Sequence, residues 1–274
     1  MCRWLAYSGG SITVDKLLFS PKHNLIDQSM SSRSAETPTN GDGFGLGWYG
    51  KSERPGLFHS IRPAWNDSNF KDLAANIESK MFLSHVRATS LATVQETNCH
   101  PFRFENWLFL HNGEIFEVEK MKRELTLAIT PEYFNNILGS TDSELMFHLA
   151  LSFGLTADPI KALSRMAGFI EKTGREKGVN ESLWMTVAVT DGKSLYCVRY
   201  ASDGKAPTLY HSIDVQEIYK INPETNGMFG PAAFTVVSEP IGVFPEMWTT
   251  IPENTTVIIQ DGKLTKQKFT PLAA

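Results

Sequence analysis

Long apolar runs are missing from this chain of 274 residues. No stretch approaches the roughly 18 residues that a membrane helix needs, so no membrane partner is expected. The N-terminus has no basic segment leading into an apolar one, so no secretory signal peptide is expected either. Cysteine is scarce: three residues, an odd number, argue against a disulfide framework and point to a cytoplasmic protein. Basic runs are absent too, and 26 Lys and Arg stand against 30 Asp and Glu, so no nucleic-acid partner is expected. None of the seven histidines forms H-x-H or H-E-x-x-H, so neither a metal site nor a cofactor is read. Without repeats, low-complexity tracts or a linker, residues 1–274 read as a single domain.

What the chain does have is a cysteine directly behind the initiator methionine, in Met1-Cys2-Arg3-Trp4-Leu5-Ala6-Tyr7. If the methionine is removed, Cys2 carries a thiol and a free α-amine on one residue. The amine has a reference pKa of about 7.7–8.0 and the thiol about 8.5. A base titrating near neutrality can take the thiol's proton and later return one to a leaving group. A second-position cysteine of no consequence is the competing reading.

Hairpins are the clearest local signal. Residues 184–190 and 194–200 are apolar, β-branched and aromatic runs joined through Asp191-Gly192, and 255–259 and 264–269 are joined through Asp261-Gly262. Both junctions carry the dipeptide that favours a two-residue antiparallel turn. Residues 81–87, 107–111 and 235–237 also read as strands. Helical spacing brings together Phe70, Leu73, Ala74 and Ile77, and likewise Met146, Leu149, Ala150 and Phe153. The second set follows a capping box of Thr141 and Glu144, and a third helix is expected over 157–172. Grouped helices and hairpins favour α+β layers over alternating βαβ units.

Several short segments can carry chemistry, each with a plainer alternative. Gly45-Leu46-Gly47-Trp48-Tyr49-Gly50 satisfies G-x-G-x-x-G, but Lys51-Ser52-Glu53-Arg54-Pro55-Gly56 behind it cannot open the helix that a dinucleotide needs. Residues 40–49 read better as a tight turn entering a strand, with glycines that let backbone pass close by. Asn112-Gly113 is either a hairpin turn or, between a strand and a helix, a pair of donors forming an oxyanion hole. Arg87, in Ser84-His85-Val86-Arg87-Ala88-Thr89, is either a surface arginine or a two-pronged grip on a carboxylate. Asp142 either complements a helix N-terminus or binds an ammonium group. Cys99 and His100 are adjacent on an extended segment, point opposite ways, and do not make a nucleophile–base pair with each other.

In order, Cys2, 40–49, His85-Val86-Arg87-Ala88-Thr89, Asn98-Cys99-His100-Pro101-Phe102, His111-Asn112-Gly113-Glu114 and Thr141-Asp142-Ser143-Glu144 resemble the class II glutamine amidotransferase family. Its catalytic domain is an N-terminal-nucleophile (Ntn) hydrolase. Val237-Ser238-Glu239-Pro240 is similar to a segment of the short, stand-alone members, so the resemblance spans most of the chain. It implies a four-layer αββα sandwich of two antiparallel sheets. It also implies Cys2 as nucleophile and base in one residue, and an oxyanion held by Asn112 and Gly113. Arg87 would take the substrate carboxylate and Asp142 its ammonium, with His85 and Thr89 in the same substrate-binding segment.

The product of the first step would be a γ-glutamyl thioester, hydrolysed by water. Unlike synthase members, this chain has no Trp between Arg87 and Ala88-Thr89, and 274 residues leave no second domain to receive ammonia. It therefore looks more like the short members, including the ergothioneine-pathway γ-glutamyl amidohydrolase and a glutathione-degrading component, with a small-molecule substrate, glutamine or a γ-glutamyl compound. The alternatives are an ammonia-supplying subunit with a partner synthase or peptidase, and a catalytically silent binding protein on the same fold.

Overall fold

The computed structural model describes residues 2–31, 39–88 and 93–273. The N-terminal part contains β1 (Arg3–Thr13), α1 (Asp15–Leu18), α2 (Leu25–Met30), β2 (Phe44–Trp48), β3 (Gly56–Ser60), α3 (Ser68–Asn76) and β4 (Glu78–Val86). The middle contains β5 (Phe102–Phe104), β6 (Trp107–Ile115), α4 (Val118–Leu127), α5 (Pro131–Phe134), α6 (Asp142–Ser152) and α7 (Pro159–Glu176). The remainder contains β7 (Leu183–Thr190), β8 (Ser194–Ala201), β9 (Tyr210–Ser212), α8 (Val215–Ile221), β10 (Phe234–Val237), β11 (Trp248–Thr250), β12 (Thr255–Gln260) and β13 (Lys263–Lys268). No described helix is long and apolar enough to cross a membrane.

The strands form two antiparallel sheets, ordered β11-β9-β10-β1-β4-β2-β3 and β13-β12-β8-β7-β6-β5. Side-chain alternation stacks them. On β1, Trp4 and Ala6 join the cluster between the sheets, while Leu5 and Tyr7 join Leu17, Leu25 and Phe70 of α1–α3 on the outer face. On β6, Leu108 and Leu110 face the other sheet, while Trp107 and Phe109 pack on Met121, Phe147 and Met166 of α4, α6 and α7. A period of two on each strand thus serves two apolar layers at once. The result is the αββα sandwich that the resemblance implies, with three cores in four layers.

The glycines of β2 show how tightly its inner face is packed. A Cβ on Gly45 would lie 2.1 Å from the His100 carbonyl oxygen, and one on Gly47 would lie 2.8 Å from both Leu108 and Pro101. The 98–102 segment runs against β2 at that point, so these glycines serve close approach of the neighbouring chain. After β2 the chain returns as β3, paired Phe44 to Ser60, and no helix opens there.

Three local expectations are corrected. Asp261 and Gly262 both have positive φ (50° and 69°) and form the expected two-residue turn, with Gln260 opposite Lys263. Asp191-Gly192 instead begins a longer loop, because the Asp191 carboxylate accepts from the N–H groups of both Lys193 and Ser194. The capping box is half-made: Thr141 accepts from the Glu144 N–H, but the Glu144 carboxylate turns to the N–H groups of Leu138 and Gly139. Finally, β6 does not stop at His111. It runs to Ile115, with Asn112 opposite Thr186 and Gly113 opposite Met185. Asn112-Gly113 is therefore strand, and the hairpin-turn alternative is excluded.

Candidate active site

Cys2 sits one residue beyond the first rung of the β1–β4 ladder, in which Arg3 pairs with Val86. Its Sγ lies 3.4 Å from both the Ala88 carbonyl oxygen and the Ala88 N–H nitrogen. Burial pushes the thiol above its usual value. The Ala88 bond and the nearby cations, Arg87 and Arg3 among them, pull in the opposite direction.

Arg87 follows β4, held because its N–H donates to Gly43 and its carbonyl accepts from the Asp42 N–H, extending the β2–β4 pairing. The residue is only 4% exposed. Its Nη1 donates to the Thr93 carbonyl at 3.3 Å and lies 3.5 Å from that of Asp42, and no carboxylate among the described residues pairs with it. A buried guanidinium with only carbonyl partners keeps an unmet demand for negative charge.

Asp142 opens α6. Its Oδ2 accepts from the Ile115 N–H at 2.9 Å and its Oδ1 from the Ser143 N–H at 2.8 Å, so the carboxylate straps α6 to the end of β6. Asn98, fully buried, joins this end to Arg87. Its amide donates to the Thr93 carbonyl at 2.8 Å, and its oxygen accepts from the Ser140 N–H at 2.8 Å. Thr93 O thus receives both Asn98 and Arg87.

Asn112 faces the space between the sheets, two positions on from Leu110. Its carbonyl accepts from Thr186 Oγ1 at 3.0 Å, and that hydroxyl accepts from Trp4 Nε1 at 3.2 Å. This chain of bonds draws the Cys2 end of β1 over the Asn112 end of β6. The Asn112 side-chain amide has no hydrogen-bond partner among the described residues, so its donors remain available. Gly113 has φ +154°, and a Cβ there would sit 2.0 Å from the Trp184 carbonyl oxygen. His111 Nε2 donates to that same oxygen at 3.1 Å, which leaves Nδ1 to accept from Ser143 Oγ at 2.8 Å. Burial lowers the His111 pKa, and Asp142 opposes the shift.

His85 lies opposite Trp4 and Gly45, deeper between the sheets than Arg87. Its ring packs on that of His100 with centroids 4.4 Å apart and planes tilted by 36°, and burial pushes its pKa down to about 3, so it is neutral. Cys99 points away from His100, toward the Ser60 and Gln95 carbonyls, and burial pushes its thiol up to about 11. Thr89 lies outside the described residues.

The geometry therefore gathers Cys2, Arg87, Asp142, Asn112 and Gly113 at adjoining strand and helix ends. An apolar groove of about 420 Å³, lined by Ile218, Phe229, Val243 and Trp248, contains none of them. Sequence reasoning missed Asn98, Thr186 and Trp4 as site-building residues. Thr186 gives no local signal beyond a hydroxyl on a buried strand.

A nucleophile candidate one residue ahead of a central strand, within an antiparallel αββα sandwich, defines an Ntn-type architecture. The family profile "Glutamine amidotransferases class-II" matches residues 21–273, and the chain belongs to that family of enzymes. It is 33% identical over 295 residues to the probable glutamine amidotransferase DUG3 of Saccharomyces cerevisiae, spanning 95% of this chain and 82% of the yeast protein. Over 117 residues it is 31% identical to the gamma-glutamyl-hercynylcysteine sulfoxide hydrolase of Mycobacterium tuberculosis, covering 42% of this chain and 50% of that one. A solved glutamine aminotransferase class-II domain protein from Silicibacter pomeroyi superposes with a TM-score of 0.74 at 29% identity, over 98% of this chain and 100% of its own. The glutamine phosphoribosylpyrophosphate amidotransferase of B. subtilis, 12% identical, shares the fold at a TM-score of 0.62, over 99% of this chain and 50% of its own.

Proposed function

We propose that this enzyme is a cysteine amidohydrolase, acting as one domain over its length, that cleaves the side-chain amide of glutamine or of a γ-glutamyl compound. The observation that carries the reading is the buried Arg87 guanidinium, without a carboxylate among the described residues, beside the Cys2 thiol. A cation of that kind takes the substrate's α-carboxylate, and Asp142 takes its α-ammonium. The far end of the glutamyl chain is then presented to Cys2.

Removal of Met1 frees the Cys2 α-amine. Burial keeps the thiol protonated at neutral pH, so a base is required, and the amine is the base attached to it. Sulfur attacks the amide carbonyl carbon as the amine takes the thiol proton. The Asn112 amide and the Gly113 N–H receive the oxyanion. Collapse breaks the C–N bond, the ammonium proton goes to the departing nitrogen, and a γ-glutamyl thioester remains. Water, deprotonated by the same amine, adds to the thioester, and glutamate leaves with the thiol restored.

The test is the intact mass of the protein before and after 6-diazo-5-oxo-norleucine, a glutamine-like electrophile. The expected result is a mass lacking one methionine and a single adduct on Cys2. A protein that takes no adduct overturns the reading. In Arg87→Lys, the loss of two-pronged carboxylate binding should raise KM by roughly 10–100-fold with a smaller change in kcat. Steady-state glutamate release measures it, and an unchanged KM removes Arg87 from the site.

A further inference from the structure

The segment after β10 converges on the nucleophile from behind. Ser238 continues the β1–β10 pairing: its N–H donates to the Trp4 carbonyl at 3.1 Å, and its Oγ accepts from the Trp4 N–H at 3.0 Å. Glu239 follows, 4% exposed, with Oε2 3.1 Å from Nε of the equally buried Arg3. The same guanidinium donates through Nη1 to the Cys2 carbonyl at 2.9 Å. On the other side of the carboxylate, His23 Nε2 donates to Oε1 at 2.6 Å, from a backbone at φ +52°. Gln28 Nε2 spans the carbonyls of His23, Glu239 and Pro240 at 3.2–3.3 Å.

A buried ion pair is weak evidence of stabilisation, since the desolvation of both charges offsets much of their attraction. What this one contributes is direction. Strand pairing begins at Arg3, so Cys2 lies beyond the ladder, and the free N-terminus that the amidohydrolase reading requires would leave its other side unrestrained. The Arg3 guanidinium supplies the missing restraint on the Cys2 carbonyl, and Glu239 with His23 keeps that guanidinium aimed.

We propose that Glu239, acting through Arg3 and backed by His23, is a positioning residue that fixes the peptide plane from which the Cys2 thiol and α-amine project. This rests on the amidohydrolase reading above. It predicts a defect in the covalent step and none in glutamyl recognition, which belongs to Arg87 and Asp142.

The experiment is the kinetics of Cys2 labelling by 6-diazo-5-oxo-norleucine in Glu239→Gln, resolved into a maximal rate and a half-saturation concentration. A displaced nucleophile should lower the maximal rate roughly 10–100-fold while the half-saturation concentration stays within about twofold of wild type. Arg3→Lys keeps the charge but not the planar fork that reaches both Glu239 and the Cys2 carbonyl, and it should show the same loss. Where Glu239→Gln fails to fold, His23→Gln, which keeps a donor toward Glu239, should show a smaller fall in the same constant. A folded variant with a wild-type maximal rate overturns the proposal alone. A wild-type protein that takes no label overturns the amidohydrolase reading and this proposal with it.

Discussion

Replacing Cys2 by alanine is expected to lower turnover of a γ-glutamyl amide by roughly 10⁴–10⁶-fold, the scale lost when the nucleophile of a covalent mechanism is removed. Binding of glutamine should survive, because Arg87 and Asp142 are held by bonds that do not involve the thiol. Arg87 is anchored by Gly43, Asp42 and Thr93, and Asp142 by Ile115 and Ser143. No other cysteine can substitute. Cys99 is buried with its thiol raised to about 11, and Cys197 lies wholly within the core between the sheets. Glutamate release and calorimetric glutamine binding together check this prediction. Release at more than a few per cent of the wild-type rate would rule out Cys2 as the nucleophile.

The parts of this molecule that could be read from sequence are those set by local pattern. The apolar strand run over 107–111, the helical spacing from Phe70 to Ile77, and the Asp261-Gly262 turn each depend on a few neighbouring residues. The departures occur where distant partners override a local preference. Asn-Gly favours a turn, yet β7 supplies Thr186 and Met185 as rungs, and the strand continues through it. Glu144 stands at the capping-box position, yet the Leu138 and Gly139 N–H groups draw its carboxylate away.

The candidate site was legible as a set of residue types in order, and the resemblance gave them roles. Its supporting bonds were not legible. Thr186 meets Asn112 across 74 positions, and Glu239 meets Arg3 across 236. Contacts of that separation leave no periodicity to read. Val237-Ser238-Glu239-Pro240 stood out only by likeness to short members, and its place behind Cys2 emerges from the β1–β10 pairing.

Asn112→Ala is expected to cost about 10²–10³ in kcat, the usual effect of deleting one oxyanion donor. Its carbonyl is committed to Thr186 and its backbone to the β7 ladder, so truncation beyond Cβ leaves both intact. The only function removed is the side-chain amide, which has no partner among the described residues. Although the residue is only 3% exposed, its amide atoms are not among the sealed, unpaired ones, so solvent reaches the amide and it can stand without a protein partner. On the proposed reading it is the donor, beside Gly113, that meets charge developing only during the reaction. The loss should therefore fall on kcat, with KM nearly unchanged and the melting temperature close to wild type. Asn112→Asp should be at least as impaired, because a carboxylate there repels the oxyanion that the amide would stabilise. Steady-state kinetics on the two variants, with thermal melts alongside, separate the alternatives. A fall in stability matching the fall in activity would make Asn112 a packing residue, and an unchanged kcat would move the oxyanion site elsewhere.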